Sequence, residues 1–133
     1  MKILIVEDDF ISRRILHKIL LPYGQCDIAV DGIEAIQAFE YAWKDGKPYD
    51  LICLDIMMPK VDGFNALKKI RELELNLGVE EDSAAKVIIT TALKDPSTIV
   101  DGEFANFANS YIVKPITKQS LLSEISNLGI PIE

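Results

Sequence analysis

The sequence predicts an α/β domain: a parallel β-sheet with right-handed crossovers and helices on both faces. Three observations carry that prediction. Short uninterrupted apolar runs, such as Leu51-Ile52-Cys53-Leu54, read as strands buried on both sides. Such runs alternate five times with segments whose apolar residues recur at helical spacing. Several runs stop abruptly at a charged or hydroxyl residue, which puts polar groups at the carboxyl ends of strands, where open α/β sheets hold their ligands.

The elements follow in order. Lys2-Ile3-Leu4-Ile5-Val6 is a β-branched first strand, ended by Glu7-Asp8-Asp9. In the helix that follows, Ile11, Ile15 and Ile19 with Leu16 and Leu20 form the apolar stripe, and Pro22 and Gly24 close it. Residues 26–30 form a short second strand, Asp31-Gly32 turns the chain, and 33–43 form a helix with Ala35, Phe39 and Ala42 inward. The third strand ends in Asp55, and Pro59 shapes the loop after it. Asp62-Gly63 precedes a helix whose stripe is Phe64, Leu67, Ile70 and Leu73. Residues 76–85 read as an extended solvated loop. Lys86-Val87-Ile88-Ile89-Thr90-Thr91 is a fourth strand, and Asp95-Pro96-Ser97 opens a weakly specified fourth helix. Tyr111-Ile112-Val113 is the fifth strand, ended by Lys114-Pro115. A last helix starts at Thr117, with Leu121, Ile125 and Leu128 inward, and ends at Gly129 and Pro131.

The 133 residues suit one domain, 1–133, with no repeat or interdomain linker visible. A net charge of −7 argues against nonspecific nucleic-acid binding and against an anionic membrane surface. No apolar stretch approaches a membrane span and no signal peptide is visible, so a cytoplasmic location is expected. Cys26 and Cys53 fall in two strands without metal-ligand spacing and read as reduced thiols. Methionine at position one and the lack of a trailing linker favour a stand-alone protein.

In a parallel sheet all carboxyl ends point one way. Glu7 and Asp8, Asp55, Thr91 with the small Ala92, and Lys114 are thereby expected at one edge. Three carboxylates in one pocket repel unless a cation joins them, and Mg²⁺ suits an oxygen-rich site that must also meet phosphate. Asp55 is then the nucleophile toward phosphorus, with Lys114 and the Thr91 hydroxyl meeting phosphoryl oxygens. Each group has a plainer reading: Asp55 as a turn acid, Thr91 as a β-propensity choice, Tyr111 as a half-buried strand aromatic, and Asp9 as a helix-entry acid. His17 reads as an ordinary helix residue, and Arg13 and Arg14 as solvated charges or contacts for an acidic partner.

The pieces Ile3-Leu4-Ile5-Val6-Glu7-Asp8, Asp55-Ile56-Met57-Met58-Pro59 with Asp62-Gly63, Thr91-Ala92 and Tyr111-Ile112-Val113-Lys114-Pro115 together resemble the receiver domain of bacterial two-component response regulators. The resemblance implies a flavodoxin-like, chemotaxis-protein-like sheet of strand order 2-1-3-4-5 with five helices. It implies phosphorylation of Asp55 by a sensor histidine kinase or histidine phosphotransfer protein. It implies Mg²⁺ held by Asp8, Asp55 and the carbonyl of Met57, with Glu7 acting through water. Thr91 and Tyr111 would be the switch pair, Lys114-Pro115 a cis peptide, and the fourth helix, fifth strand and fifth helix the output face toward a downstream protein. Such a chain is not an enzyme on other substrates; it catalyses only its own phosphorylation and dephosphorylation. Two stretches depart from the family pattern: 76–85 is long, and Phe107-Ala108-Asn109-Ser110 replaces a Gly-containing turn. Met57 and Leu93 are expected to shield the acyl phosphate from water.

Three other functions make different demands on the same residues. A Mg²⁺-dependent aspartyl-phosphate phosphohydrolase calls for a second acid two residues after the nucleophile, where Met57 stands. A flavin-mononucleotide carrier calls for a phosphate cradle in the first loop, where Glu7-Asp8-Asp9 would repel one. An unphosphorylated receiver-like binding module needs none of the acid set, Thr91 or Lys114.

Overall fold

The computed structural model describes residues 1–56, 63–92 and 107–131. Strands β1 (Lys2–Val6), β2 (Gln25–Ala29), β3 (Leu51–Asp55), β4 (Lys86–Thr91) and β5 (Ser110–Val113) form one parallel sheet in the order β2-β1-β3-β4-β5. Around it lie α1 (Phe10–Leu20), α2 (Gly32–Lys44), α3 (Gly63–Asn76) and α4 (Lys118–Asn127), the last helix. The helix expected from Asp95 lies outside the described residues, so four α-helices are seen among those described. The architecture is the flavodoxin-like one expected.

Every residue of β3 is buried, as its apolar run requires. Strand alternation divides the core in two. Leu4, Val6, Ile52, Leu54, Val87 and Ile89 face α2 and α3, meeting Phe39, Leu67 and Ile70. Ile3, Ile5, Leu51, Cys53, Ile88 and Ile112 face α1 and α4, meeting Leu16, Leu20, Leu121 and Ile125. Asp9 caps α1 and Asp31 caps α2, each carboxylate accepting from a backbone N–H three residues on. Thr117 and Ser120 cap α4 reciprocally.

The α1 stripe is narrower than its spacing suggested. Leu16 and Leu20 are buried and Ile19 packs beside them, whereas Ile11 (68 % exposed) and Ile15 (42 % exposed) face outward. In α3, Ala66 and Glu74 are buried with Leu67 and Ile70, while Phe64 and Leu73 are only partly covered. Both cysteines are free, Cys53 fully buried and Cys26 half-buried. Among the described residues, the Thr90 hydroxyl is buried with no hydrogen-bond partner.

Candidate phosphoryl-acceptor and metal site

The alternation that buries Ile3 and Ile5, Leu51 and Cys53, and Ile112 on the α1/α4 side continues for one more step at the carboxyl edge. That step carries Glu7, Asp55 and Lys114. The contacts agree. Lys114 Nζ lies 2.5 Å from Glu7 Oε1 and 3.5 Å from Asp55 Oδ2. Glu7 is fully buried, Asp55 is 4 % exposed, and Asp8 is exposed at the mouth. One oxygen from each of Glu7, Asp8 and Asp55 falls within 4.8 Å of the others. Three hard oxygen donors so close fit a small dication.

Electrostatics mark the same spot. Burial pushes the Glu7 carboxyl above its ordinary value of 4.5, and Asp55 beside it pushes the same way, while the Lys114 ammonium opposes both. Partial burial alone would lower Lys114. Its hydrogen bond to Glu7 and the charges of Asp55 and Glu7 outweigh that and hold it above its ordinary 10.5. The ammonium is thus a fixed cation inside an acidic pocket.

Thr91 is fully buried at the end of β4, one residue past the Asp55–Thr90 pairing. Tyr111 is half-buried and packs on the α2/α3 side of the core. Lys114-Pro115 is a cis peptide, as expected. Met57, assigned as a carbonyl ligand, and Leu93, assigned to shielding, lie outside the described residues.

The acidic turn is held by Arg13, expected as a solvated charge or a contact for an acidic partner. Arg13 Nη1 donates to the carbonyls of Glu7 (3.2 Å) and Asp8 (3.5 Å), and its guanidinium lies over the Phe10 ring. The Asp9 N–H donates to Glu7 Oε2 at 3.2 Å, and its carboxylate caps α1 rather than joining the cluster. Gly63 lies against the backbone of Asp55. A Cβ there would stand 2.4 Å from the Asp55 carbonyl oxygen and 2.5 Å from Ile56 Cα, so only glycine lets α3 begin against the backbone of Asp55. Its place in Asp62-Gly63 was the signal available.

Comparisons with known proteins agree with this geometry. The family model described as the response regulator receiver domain matches residues 3–126. The chemotaxis protein CheY of Treponema pallidum is 33 % identical over 129 residues, covering 96 % of this chain and 81 % of that protein. CheY of Bacillus subtilis is 32 % identical over 125 residues, covering 94 % of each. Among solved structures, the CheX–CheY–BeF₃–Mg²⁺ complex from Borrelia burgdorferi aligns with a TM-score of 0.81 at 28 % identity, over 98 % of this chain and 90 % of that one. The response regulator TrrA of Thermotoga maritima, in complex with Mg²⁺ and BeF, aligns with a TM-score of 0.74 at 28 % identity, over 96 % and 97 %.

Proposed function

This chain belongs to the response regulator receiver family and is a phosphorylation-dependent switch of two-component signalling, and we propose that Asp55 is its phosphoryl acceptor. The observation that carries the reading is the meeting of Glu7, Asp8, Asp55 and Lys114 at one edge of the sheet.

In the proposed reaction an Asp55 carboxylate oxygen attacks phosphorus. The P–N bond of a phosphohistidine donor breaks as the O–P bond forms, and the imidazole leaves with the electron pair. Lys114 balances charge on one phosphoryl oxygen and the Thr91 hydroxyl donates to another. Asp8 and Asp55, with the Met57 carbonyl and with Glu7 through water, are assigned as the Mg²⁺ ligands. When bound, that ion neutralises charge on the transferring group. The chain acts in this way only on itself, catalysing its own phosphorylation and dephosphorylation.

A protein donor is favoured by the surface beside the site. Phe10 and Ile11 are 61 % and 68 % exposed, and a cavity of about 370 Å³ is lined by Ile11, Ser12, Ile15, Lys114, Pro115 and Ile116. Apolar surface next to a reacting carboxylate suits the apolar face of a sensor kinase or phosphotransfer protein. The output is assigned to Thr91 and Tyr111 as the switch pair and to the face of β5, α4 and the helix expected from Asp95. No helix among the described residues is long and apolar enough to cross a membrane, and a cytoplasmic location is proposed.

The test is incubation with Mg²⁺ and acetyl phosphate or phosphoramidate, read by intact mass. Wild type should gain one phosphoryl group and Asp55→Asn none. An adduct that persists on the variant places the acceptor elsewhere.

A further inference from the structure

We infer that Arg71 and Asn109 are positioning residues that deliver Lys114 to the acid cluster by fixing the register of β5, an inference that rests on the phosphoryl-transfer role proposed for Lys114. Strand β5 has four residues and, among the described residues, pairs only with β4 at the end of the sheet. Only Ile112 within it is fully covered, which leaves its own side chains a weak hold on register. Yet register decides the site. A slip by one residue would move Lys114 by about 3.3 Å and turn it to the opposite face, away from Glu7 and Asp55.

What holds the strand lies at its other end. In a parallel ladder a strand residue donates its N–H to the carbonyl just before the residue opposite it. The β4–β5 register sets Ile88 opposite Ser110 and, one step back, Val87 opposite Asn109, so the regular partner of Val87 N–H is the Ala108 carbonyl. The pairing departs from that pattern here: the Val87 carbonyl accepts from Asn109 N at 2.9 Å, and the Phe107 carbonyl accepts from Arg71 Nε at 2.8 Å. Val87 N–H donates to the Asn109 side-chain oxygen at 2.8 Å, and Arg71 Nη2 donates to the same oxygen at 3.0 Å. The Asn109 side chain thus closes the ladder, and the guanidinium clamps it from α3.

The clamp is itself fixed. Arg71 Nη1 meets Glu74 Oε1 at 2.6 Å and the Ala85 carbonyl at 2.8 Å. The buried Glu74 accepts from Ala85 N at 2.8 Å through its other oxygen. The Phe107 ring rests against Phe64, with centroids 6.2 Å apart. On the far side, Ser110 Oγ donates to Glu124 Oε2 of α4 at 2.5 Å. The two departures from the family pattern meet here: Ala85 closes the long 76–85 stretch, and Asn109 stands in the segment that replaces a glycine turn.

The experiment is a double-mutant cycle on the rate of Asp55 phosphorylation by phosphoramidate at saturating Mg²⁺, followed by intact mass. Asn109→Ala should slow wild type by about tenfold or more, since small misplacements of a charge-balancing group carry rate losses of that order. In a Lys114→Ala background it should change the rate by less than about twofold, because the group it positions is gone. Asn109→Asp keeps the acceptor oxygen and should restore the rate. Arg71→Lys, which keeps the charge beside Glu74 but loses the fork, should slow the reaction only while Lys114 is present, and serves if Asn109→Ala does not fold. A wild-type rate in both Asn109→Ala and Arg71→Lys, or effects that multiply with Lys114→Ala, overturns the positioning role alone. A wild-type rate in Lys114→Ala itself overturns the underlying role of the lysine.

Discussion

Gly63→Ala offers a sharp test of how Asp55, the proposed acceptor, is held. Alanine is the better helix former, and in an exposed helix this exchange stabilises by about 0.5–1 kcal/mol. Gly63 does not use a left-handed backbone, so conformational freedom gives no reason for glycine here. Space does. The new methyl would stand 2.4 Å from the Asp55 carbonyl oxygen, 2.5 Å from Ile56 Cα and 3.0 Å from the Asp55 carbonyl carbon. Ordinary contact begins near 3.4 Å, so α3 and the end of β3 must part by about 1 Å. All three atoms are backbone, and none can rotate away. Overpacking of this kind costs about 1–3 kcal/mol. In a chain of this size that lowers the melting temperature by about 3–12 °C. The shift falls on Asp55, the residue proposed to attack phosphorus, and a displacement of about 1 Å can slow a positioned reaction about 100-fold. The assay is single-turnover phosphorylation by phosphoramidate with Mg²⁺, alongside thermal melts. A Gly63→Ala protein that melts and reacts as wild type does would refute the close approach as the reason for glycine.

Three further outcomes follow from the geometry. Thr90→Val removes a buried hydroxyl that lacks a partner while keeping its shape, and should raise stability by about 1 kcal/mol in urea titrations. Phe39→Ala empties the seat between α2 and the sheet and should cost about 3–5 kcal/mol, read by the same titrations. Glu7 gives a pH dependence. Its folded carboxyl titrates above 4.5, so the fold holds its proton more tightly than the unfolded chain does, and stability from this group falls as pH rises from 4.5 through the raised value. Wild type without Mg²⁺ should lose melting temperature across that window relative to Glu7→Gln, and saturating Mg²⁺ should narrow the gap; parallel melting curves at all pH values would contradict it.

The strands were legible because burial on both faces leaves an unbroken apolar run, as in 51–54, and the acid cluster followed because sheet polarity alone gathers strand ends. The α1 stripe was overread. Six apolar residues in eleven span more of the cylinder than the sheet can cover, and contact through Leu16 and Leu20 leaves Phe10, Ile11 and Ile15 outside. Arg71 and Glu74, three residues apart, look like a surface ion pair in sequence. The burial of Glu74 arises only when 76–85 folds back to bring Ala85 against it. Arg13 was likewise illegible, because its partners are main-chain carbonyls that any sequence supplies.

The burial of Cys53 turns the central strand into its own reporter. Its thiol sits two residues before Asp55, wholly enclosed, with burial pushing its pKa up to about 12. A thiolate is therefore scarce at that sulfur while the sheet is closed, and an alkylating reagent meets it only when β3 is uncovered. Labelling at Cys53 would time the opening of the strand that bears Asp55, in a native chain carrying no added probe.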